Sequence, residues 1–271
     1  PGPDTPEKEA RAVRAGWTDG LRLIQLIGAN ARYFTDTSQK PPIDVADGTC
    51  AAGLCIDFYG NQQAEAVLRR GDSRRVGFST PIGGTAYSVD PIAIMRGARH
   101  RRLANLFIEY VLSMAGQKLW AFRPGTPGGP REFALRRLPV RKDFYRHTEW
   151  RKWRSDPDMD PYADSEGLVY RPQWTLPVFR EMAFIIRVMC QDTHEDLVSA
   201  WRAVIAAPEP ARSRALALMQ NISFVSYDRA LGPIRRALSS EDKVQEVRLA
   251  SELAARFRRQ YRLAEAAARG R

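Results

Sequence analysis

The chain has 271 residues, 44% hydrophobic and 10% aromatic, which is enough apolar material for a core and too much for a disordered chain. Its formal charge of +11 suits a polyanionic partner. Against that, lysine occurs only at 8, 40, 118, 142, 152 and 243, the arginines are scattered in pairs such as Arg69-Arg70 and Arg258-Arg259, and no helix-turn-helix, zinc-finger or RNA-binding signature appears, so a nucleic-acid module is disfavoured.

From about Pro6 to Ile27 the pattern is helical, with Val13, Trp17, Leu21, Ile24 and Leu26 expected to be buried and Gly28 near the end. ARYFTDTSQK reads as an extended piece and a polar turn. A short helix follows, with Ser38 as its expected cap, Pro41 and Pro42 in its first turn and Gly48 as its stop. CAAGLCIDF reads as a buried strand ending at Tyr59-Gly60, and NQQAEAVLRRG as a helix closed by Gly71. RRVGFSTP and TAYSVDPIAIM read as strands joined by a Gly83-Gly84 turn.

ARHRRLANLFIEYVLSMAGQKLWAF then places Leu103, Leu106, Phe107, Tyr110, Val111 and Met114 on one helical face, with an expected break at Ala115-Gly116. Residues 1–122 thus alternate helix and strand, which predicts an α/β sheet covered by helices. Residues 123–174 are rich in Pro, Gly and acidic residues and read as loop. Residues 175–271 carry four helical patterns, the last Ala- and Arg-rich and expected to fray. EMAFIIRVMC, the longest apolar run, is interrupted by Arg187 and falls short of the ~20 residues of a membrane span.

The ordered series VADGTCAAGLCIDFYGNQQAEAV, RVGFSTPIGGTAYSVDPIAIMRGARHRRLANLFIEYVLSMAGQKLWA and FRPGTPGGPREFALRRLPVRKDFY resembles the family 1 extracellular solute-binding proteins, especially their iron(III)-type branch. Pro91 to Ala98 matches a P-x-A-I-x-x-G-A stretch. Phe107, Ile108, Val111, Leu112, Ser113, Gly116, Gln117 and Lys118 match F-I-x-x-V-L-S-x-x-G-Q-K. The resemblance spans roughly Trp17 to Tyr145. It implies a type II-like periplasmic-binding α/β lobe, incomplete, with a first lobe and an export signal upstream and an all-helical C-terminal extension. It further implies a monomeric, non-enzymatic binding component outside the cytoplasmic membrane, delivering solute to the permease and ATPase subunits of an ABC importer. The expected ligand is ferric iron (Fe3+) or a small anionic or organic solute. A basic nucleic-acid-binding domain or a hydrolase is the alternative.

Three groups of residues are candidates for ligand contact. CIDFYG puts Asp57 and Tyr59 at a strand end and helix start, where free amides favour an anion. The iron-binding branch of the family carries two adjacent tyrosines there that ligate the metal; this chain has Phe58 and Tyr59, leaving one phenol and the Asp57 carboxylate as oxygen donors. Thr35, Asp36, Thr37 and Ser38 precede a short helix and offer hydroxyls to a carboxylate, a phosphate or the anion that accompanies iron, with plain capping by Ser38 as the equal reading. Gly83, Gly84 and Thr85 suit close approach to ligand, hinge motion or a simple turn.

Other motifs are weaker. Asp156, Asp158 and Asp160 alternate as in a calcium loop, but Pro161 replaces the required glycine and Gly167 the final acid. Cys50 and Cys55 form a lone C-x4-C pair, with Cys190 left over. His100, His147 and His194 sit in no catalytic motif.

Overall fold

The computed structural model describes residues 5–71, 75–81, 83–88, 90–163 and 168–270. In chain order its helices are α1 (Pro6–Asn30), α2 (Lys40–Ala46), α3 (Asp57–Arg69), α4 (Arg101–Leu112), α5 (Met114–Ala121), α6 (Pro172–Thr175), α7 (Phe179–Ile186), α8 (His194–Ala206), α9 (Ala211–Met219), α10 (Tyr227–Arg229), α11 (Arg235–Ser239) and α12 (Lys243–Ala268). They divide between two compact units: one made of the segment up to Phe34 together with the chain from Arg171 onward, the other of Thr35–Tyr170.

The first unit is a helical assembly organised around α12. Asp242 starts that helix by accepting the Val244 N–H at 3.0 Å. Leu253, Ala254, Phe257, Tyr261, Ala264 and Ala268 form its buried stripe at spacings of three and four. This stripe packs on α8 and α9, through Leu197, Ala200, Val204, Ala215 and Met219. The expectation that α12 frays is overturned, because its small and aromatic residues are the centre of the core.

Thr5 caps α1 at the Lys8 N–H. The helix runs past Gly28 to Asn30, and Gly28 is a packing position: a Cβ there would meet Cys190 Sγ at 2.9 Å. Trp17 donates its indole N–H to Val225 O at 2.9 Å and Arg22 donates to Gln220 O at 3.1 Å, which ties α1 to the C-terminal helices.

Two helices of this unit contain a widened π turn, Arg187–Gln191 after α7 and Ala230–Ile234 before α11. The second holds Pro233. Proline lacks an N–H and its ring collides with the carbonyl four residues back, and a wider turn removes both conflicts. At the first, Thr193 donates its hydroxyl between Val188 O (3.1 Å) and Met189 O (2.8 Å), satisfying carbonyls that the turn leaves free.

The second unit corrects the expected fold class. A type II-like α/β lobe needs a sheet, and among the described residues the only extended pairing is one isolated antiparallel bridge, Phe122 to Arg154. Among their described residues, the segments read as strands form no β-ladder. Leu54 of GLCIDF is 74% exposed and Ile56 49%, so that run is not a buried strand. An alternating pattern specifies a face, but a sheet forms only where a second strand supplies backbone partners.

The apolar face read for α4 does not enter a core. No residue of this helix is buried, and Leu103, Leu106, Phe107 and Tyr110 are exposed. The helix break lies at Ser113, two residues ahead of Ala115-Gly116. Ser113 is extended, and its hydroxyl accepts the Gly116 N–H at 3.2 Å to start α5. Gly116 permits the crossing, since a Cβ there would lie 2.2 Å from Tyr110 O. Gln117 locks the junction: its amide donates to Val111 O and its carbonyl accepts from Val140 N–H, both at 2.8 Å.

Ala121, Phe122 and Phe144 form the small core of this unit, flanked by Met114, Tyr145, Trp150 and Trp153. Burial raises the Tyr145 phenol well above its ordinary range and lowers the Arg154 guanidinium, which lies over the Phe144 and Tyr145 rings. No described helix is long and apolar enough to cross a membrane.

Candidate functional site

The start of α3 is the best-defined candidate. Ile56 is extended (φ −72°, ψ 145°), so the chain enters the helix abruptly, and no side chain caps it. Asp57 opens the helix and is exposed, and Tyr59 follows, half-buried. A carboxylate in the first turn and uncapped N–H groups are the features of a polar helix start. Phe58 and Tyr59 lie ring to ring, tilted, with centroids 4.0 Å apart. Gly60 is buried directly behind them, where a Cβ would collide with the Phe78 ring at 2.4 Å. The Cys55 thiol, on the same turn, is raised by burial despite a hydrogen bond with the Gly60 backbone.

A strap at residues 135–137 completes the site, and the sequence pattern gave no hint of it. Arg136 has left-handed backbone (φ 52°). It reaches α3 by donating to Asn61 O at 3.1 Å, lies 3.9 Å from Glu65, and is ion-paired with Asp156. Gln62 donates to Leu135 O at 3.2 Å. This anchoring seats the neighbouring Arg137 guanidinium over the Phe58 ring, 3.6 Å from its centroid, and ion-pairs it with Asp90. A guanidinium over Phe58, the adjoining Tyr59 phenol and an uncapped helix start thus belong to one region, although Arg137 is distant from α3 along the chain. Such a set can hold a carboxylate or a phosphate-like group. The Arg136-Arg137 pair was visible in the sequence only as one of several arginine pairs.

The other candidates lie apart from these contacts. Thr37 donates its N–H to the Thr35 hydroxyl at 3.2 Å, a local turn. Ser38 is exposed and does not cap α2, whose N-cap is Gln39 without a side-chain bond. Gly84 closes a turn with its N–H on Pro81 O at 3.0 Å, and Thr85 O accepts from Leu168 N–H at 3.2 Å. Gly83 in that turn has φ 65°.

For a metal, Asp57 and Tyr59 are two oxygen donors, and no group of three or more His, Cys, Asp or Glu among the described residues could hold an ion. The calcium reading fails on its carboxylates. Asp156 is taken by Arg136, Asp158 by Arg151 at 2.5 Å, and Asp160 by the Tyr162 N–H at 2.9 Å, while Gly167 lies outside the described residues. Cys50, Cys55 and Cys190 are free thiols. Two of the three histidines have defined contacts: His194 bonds Ala31 O at 3.0 Å, and His147 stacks on Trp150 at 3.8 Å beside Glu149.

Comparison with protein-family models, curated proteins and solved structures finds no match to this chain.

Proposed function

We propose that the chain is part of the substrate-binding component of a bacterial ABC importer, and that it works by recognition without bond chemistry. One observation carries the reading: the ordered series from VADGTC to KDFY, whose central word, CIDFYG, forms an accessible helix start with Asp57 exposed and Tyr59 half-buried.

In this reading the protein acts outside the cytoplasmic membrane and hands its solute to permease and ATPase subunits. The solute carries a carboxylate, phosphate or phosphonate group, which Arg137 and the start of α3 would hold, with the Tyr59 hydroxyl as a further hydrogen-bonding group. Ferric iron with an accompanying anion is the second reading. It is favoured by the adjacency of a phenol and a carboxylate, both hard oxygen donors, at Tyr59 and Asp57.

The test is a thermal-shift screen of the chain against citrate, inorganic phosphate, 2-aminoethylphosphonate and ferric citrate, because a ligand of the native state raises apparent stability by mass action. A rise with one of these, lost in Arg137→Ala and in Tyr59→Phe, is the expected result. No rise with any of the four, or a rise that both variants retain, would refute the assignment.

A further inference from the structure

The outer face of α12 carries a feature that the transport reading does not use. Between Glu252 and Glu265 the helix has four arginines, Arg256, Arg258, Arg259 and Arg262, and no acid. Two of them share one carboxylate: Asp196 of α8 pairs with Arg258 at 3.7 Å and with Arg262 at 2.9 Å. The other two do not. Arg256 lies over the Phe224 ring, 4.2 Å from its centroid, and Arg259 is exposed with no ion pair or hydrogen bond among the described residues.

Arg256 and Arg259 flank a groove of about 170 Å³ between α12 and the turn after α9, its apolar walls formed by Leu218, Phe224 and Leu263. Leu263 is 55% exposed and Leu218 38%. Across Arg259 and Leu263 a second, wider concavity of about 540 Å³ continues along the helix. At the floor of the first groove, Gln260 spends its amide on the carbonyls of Leu218, Met219 and Asn221, and its own Oε1 is buried without a partner.

We infer that this groove docks an acidic polypeptide segment that inserts one aliphatic side chain against Leu218, Phe224 and Leu263 while its carboxylates pair with Arg256 and Arg259. Charge complementarity selects the occupant. Guanidinium groups that lack an internal acid are best satisfied by carboxylates, which they hold in a two-point geometry. The size of the groove suits a single aliphatic side chain. A nucleic-acid strand would need a free aromatic face for base stacking, and the Phe224 face is covered by Arg256. A membrane surface would need a broad apolar stripe, and here only two leucines are exposed beside the arginines.

The experiment uses the whole chain and a labelled nine-residue peptide with a central leucine flanked by aspartate and glutamate, read by fluorescence anisotropy. Companion probes are the same peptide with serine for leucine, a lysine-substituted peptide, phosphatidylserine vesicles and oligouridylate. The acidic leucine peptide is expected to bind at least about tenfold more tightly than the serine and lysine versions, and to weaken as salt rises. Arg259→Gln, at an exposed position, is expected to raise its Kd about three- to tenfold, and Leu263→Ser to remove the preference for leucine over serine. Equal binding of the leucine and serine peptides, no effect of Arg259→Gln, or preferential binding of the vesicles or oligouridylate would each overturn the inference.

Discussion

The Gln25 side-chain amide donates to the Tyr261 hydroxyl at 3.1 Å, joining two fully buried polar groups 236 residues apart in sequence. The same amide also donates to Met219 O at 3.1 Å, and the Tyr261 hydroxyl donates to Met189 O at 2.9 Å in the first π turn. One polar cluster thus fixes α1, α12, the end of α9 and the widened helix after α7. Tyr261→Phe keeps the ring packing but takes the Tyr261 acceptor from the buried Gln25 amide, and leaves Met189 O with the Thr193 hydroxyl as its remaining side-chain donor. A loss of about 1–3 kcal/mol of stability is expected, the usual cost of an unsatisfied buried group, read as a lower urea midpoint by circular dichroism.

Gly28 of α1 faces Cys190 of the π turn so closely that an added Cβ would lie 2.9 Å from its Sγ. Alanine is the better helix former by about 1 kcal/mol, so intrinsic propensity alone predicts that Gly28→Ala stabilises. The contact decides otherwise: forcing a methyl into a filled core costs about 1–3 kcal/mol, and net destabilisation is expected. Combining Gly28→Ala with Cys190→Ala removes Sγ but leaves the Cβ, itself 3.0 Å from the new methyl, so recovery should be partial. Urea melts of the two single variants and the double variant check the coupling.

Burial pushes the Cys190 thiol up to about 12 and raises the Tyr261 phenol beyond its ordinary range. Both groups are acids whose neutral form is favoured by folding, so the native state holds protons that the unfolded state releases. Stability contributed this way is complete below about pH 8.5, the ordinary thiol value, and falls as pH rises towards 12, by up to about 1.4 kcal/mol per pH unit for each group. Urea midpoints between pH 8 and 11 should decline, and less steeply in Cys190→Ala. In the native chain at pH 8, a thiol reagent should count Cys50 and Cys55 and reach Cys190 only after unfolding.

Glu181 is 5% exposed and is held by Arg235 at 2.9 Å. Arg235 also donates to Pro177 O. Removing the guanidinium strands a buried carboxylate. Arg235→Leu is expected to cost about 1–3 kcal/mol, below the full penalty for a sealed pair because Arg235 itself is partly exposed. Adding Glu181→Gln should recover most of that loss, measured in the same melts.

In the second unit, Arg136 is the anchor of the strap over α3. Arg136→Ala removes its ties to Asp156, Glu65 and Asn61 O, and should release the 135–137 segment to proteolysis while leaving the core around Phe122 and Phe144 intact. Peptide mapping after limited trypsin digestion reads the first effect, and tryptophan fluorescence reads the second through Trp150 and Trp153, which flank that core.

The helices were legible because their signals are local. Thr5 and Asp242 cap, and the 253–268 stripe keeps helical period, so α1 and α12 could be placed to within a few residues. The strands were not. GLCIDF and TAYSVDPIAIM carry strand-like composition, but strand identity depends on backbone partners that composition does not supply. At the site, the helix start at Asp57 and Tyr59 was readable from the turn into NQQAEAV. Arg137 was hidden, because its place over Phe58 depends on a strap that returns almost eighty residues later.

By itself the sequence placed α1 and α12 to within a few residues and set Asp57 and Tyr59 at a helix start, because caps, periodicity and propensity act within a few residues. Only the tertiary structure decided that α1 joins the C-terminal helices through Gln25 and Tyr261, that the strand-like segments form no ladder among the described residues, and that an arginine covers Phe58. Those outcomes are set by packing and backbone pairing between distant segments, and no local pattern encodes which distant segment arrives.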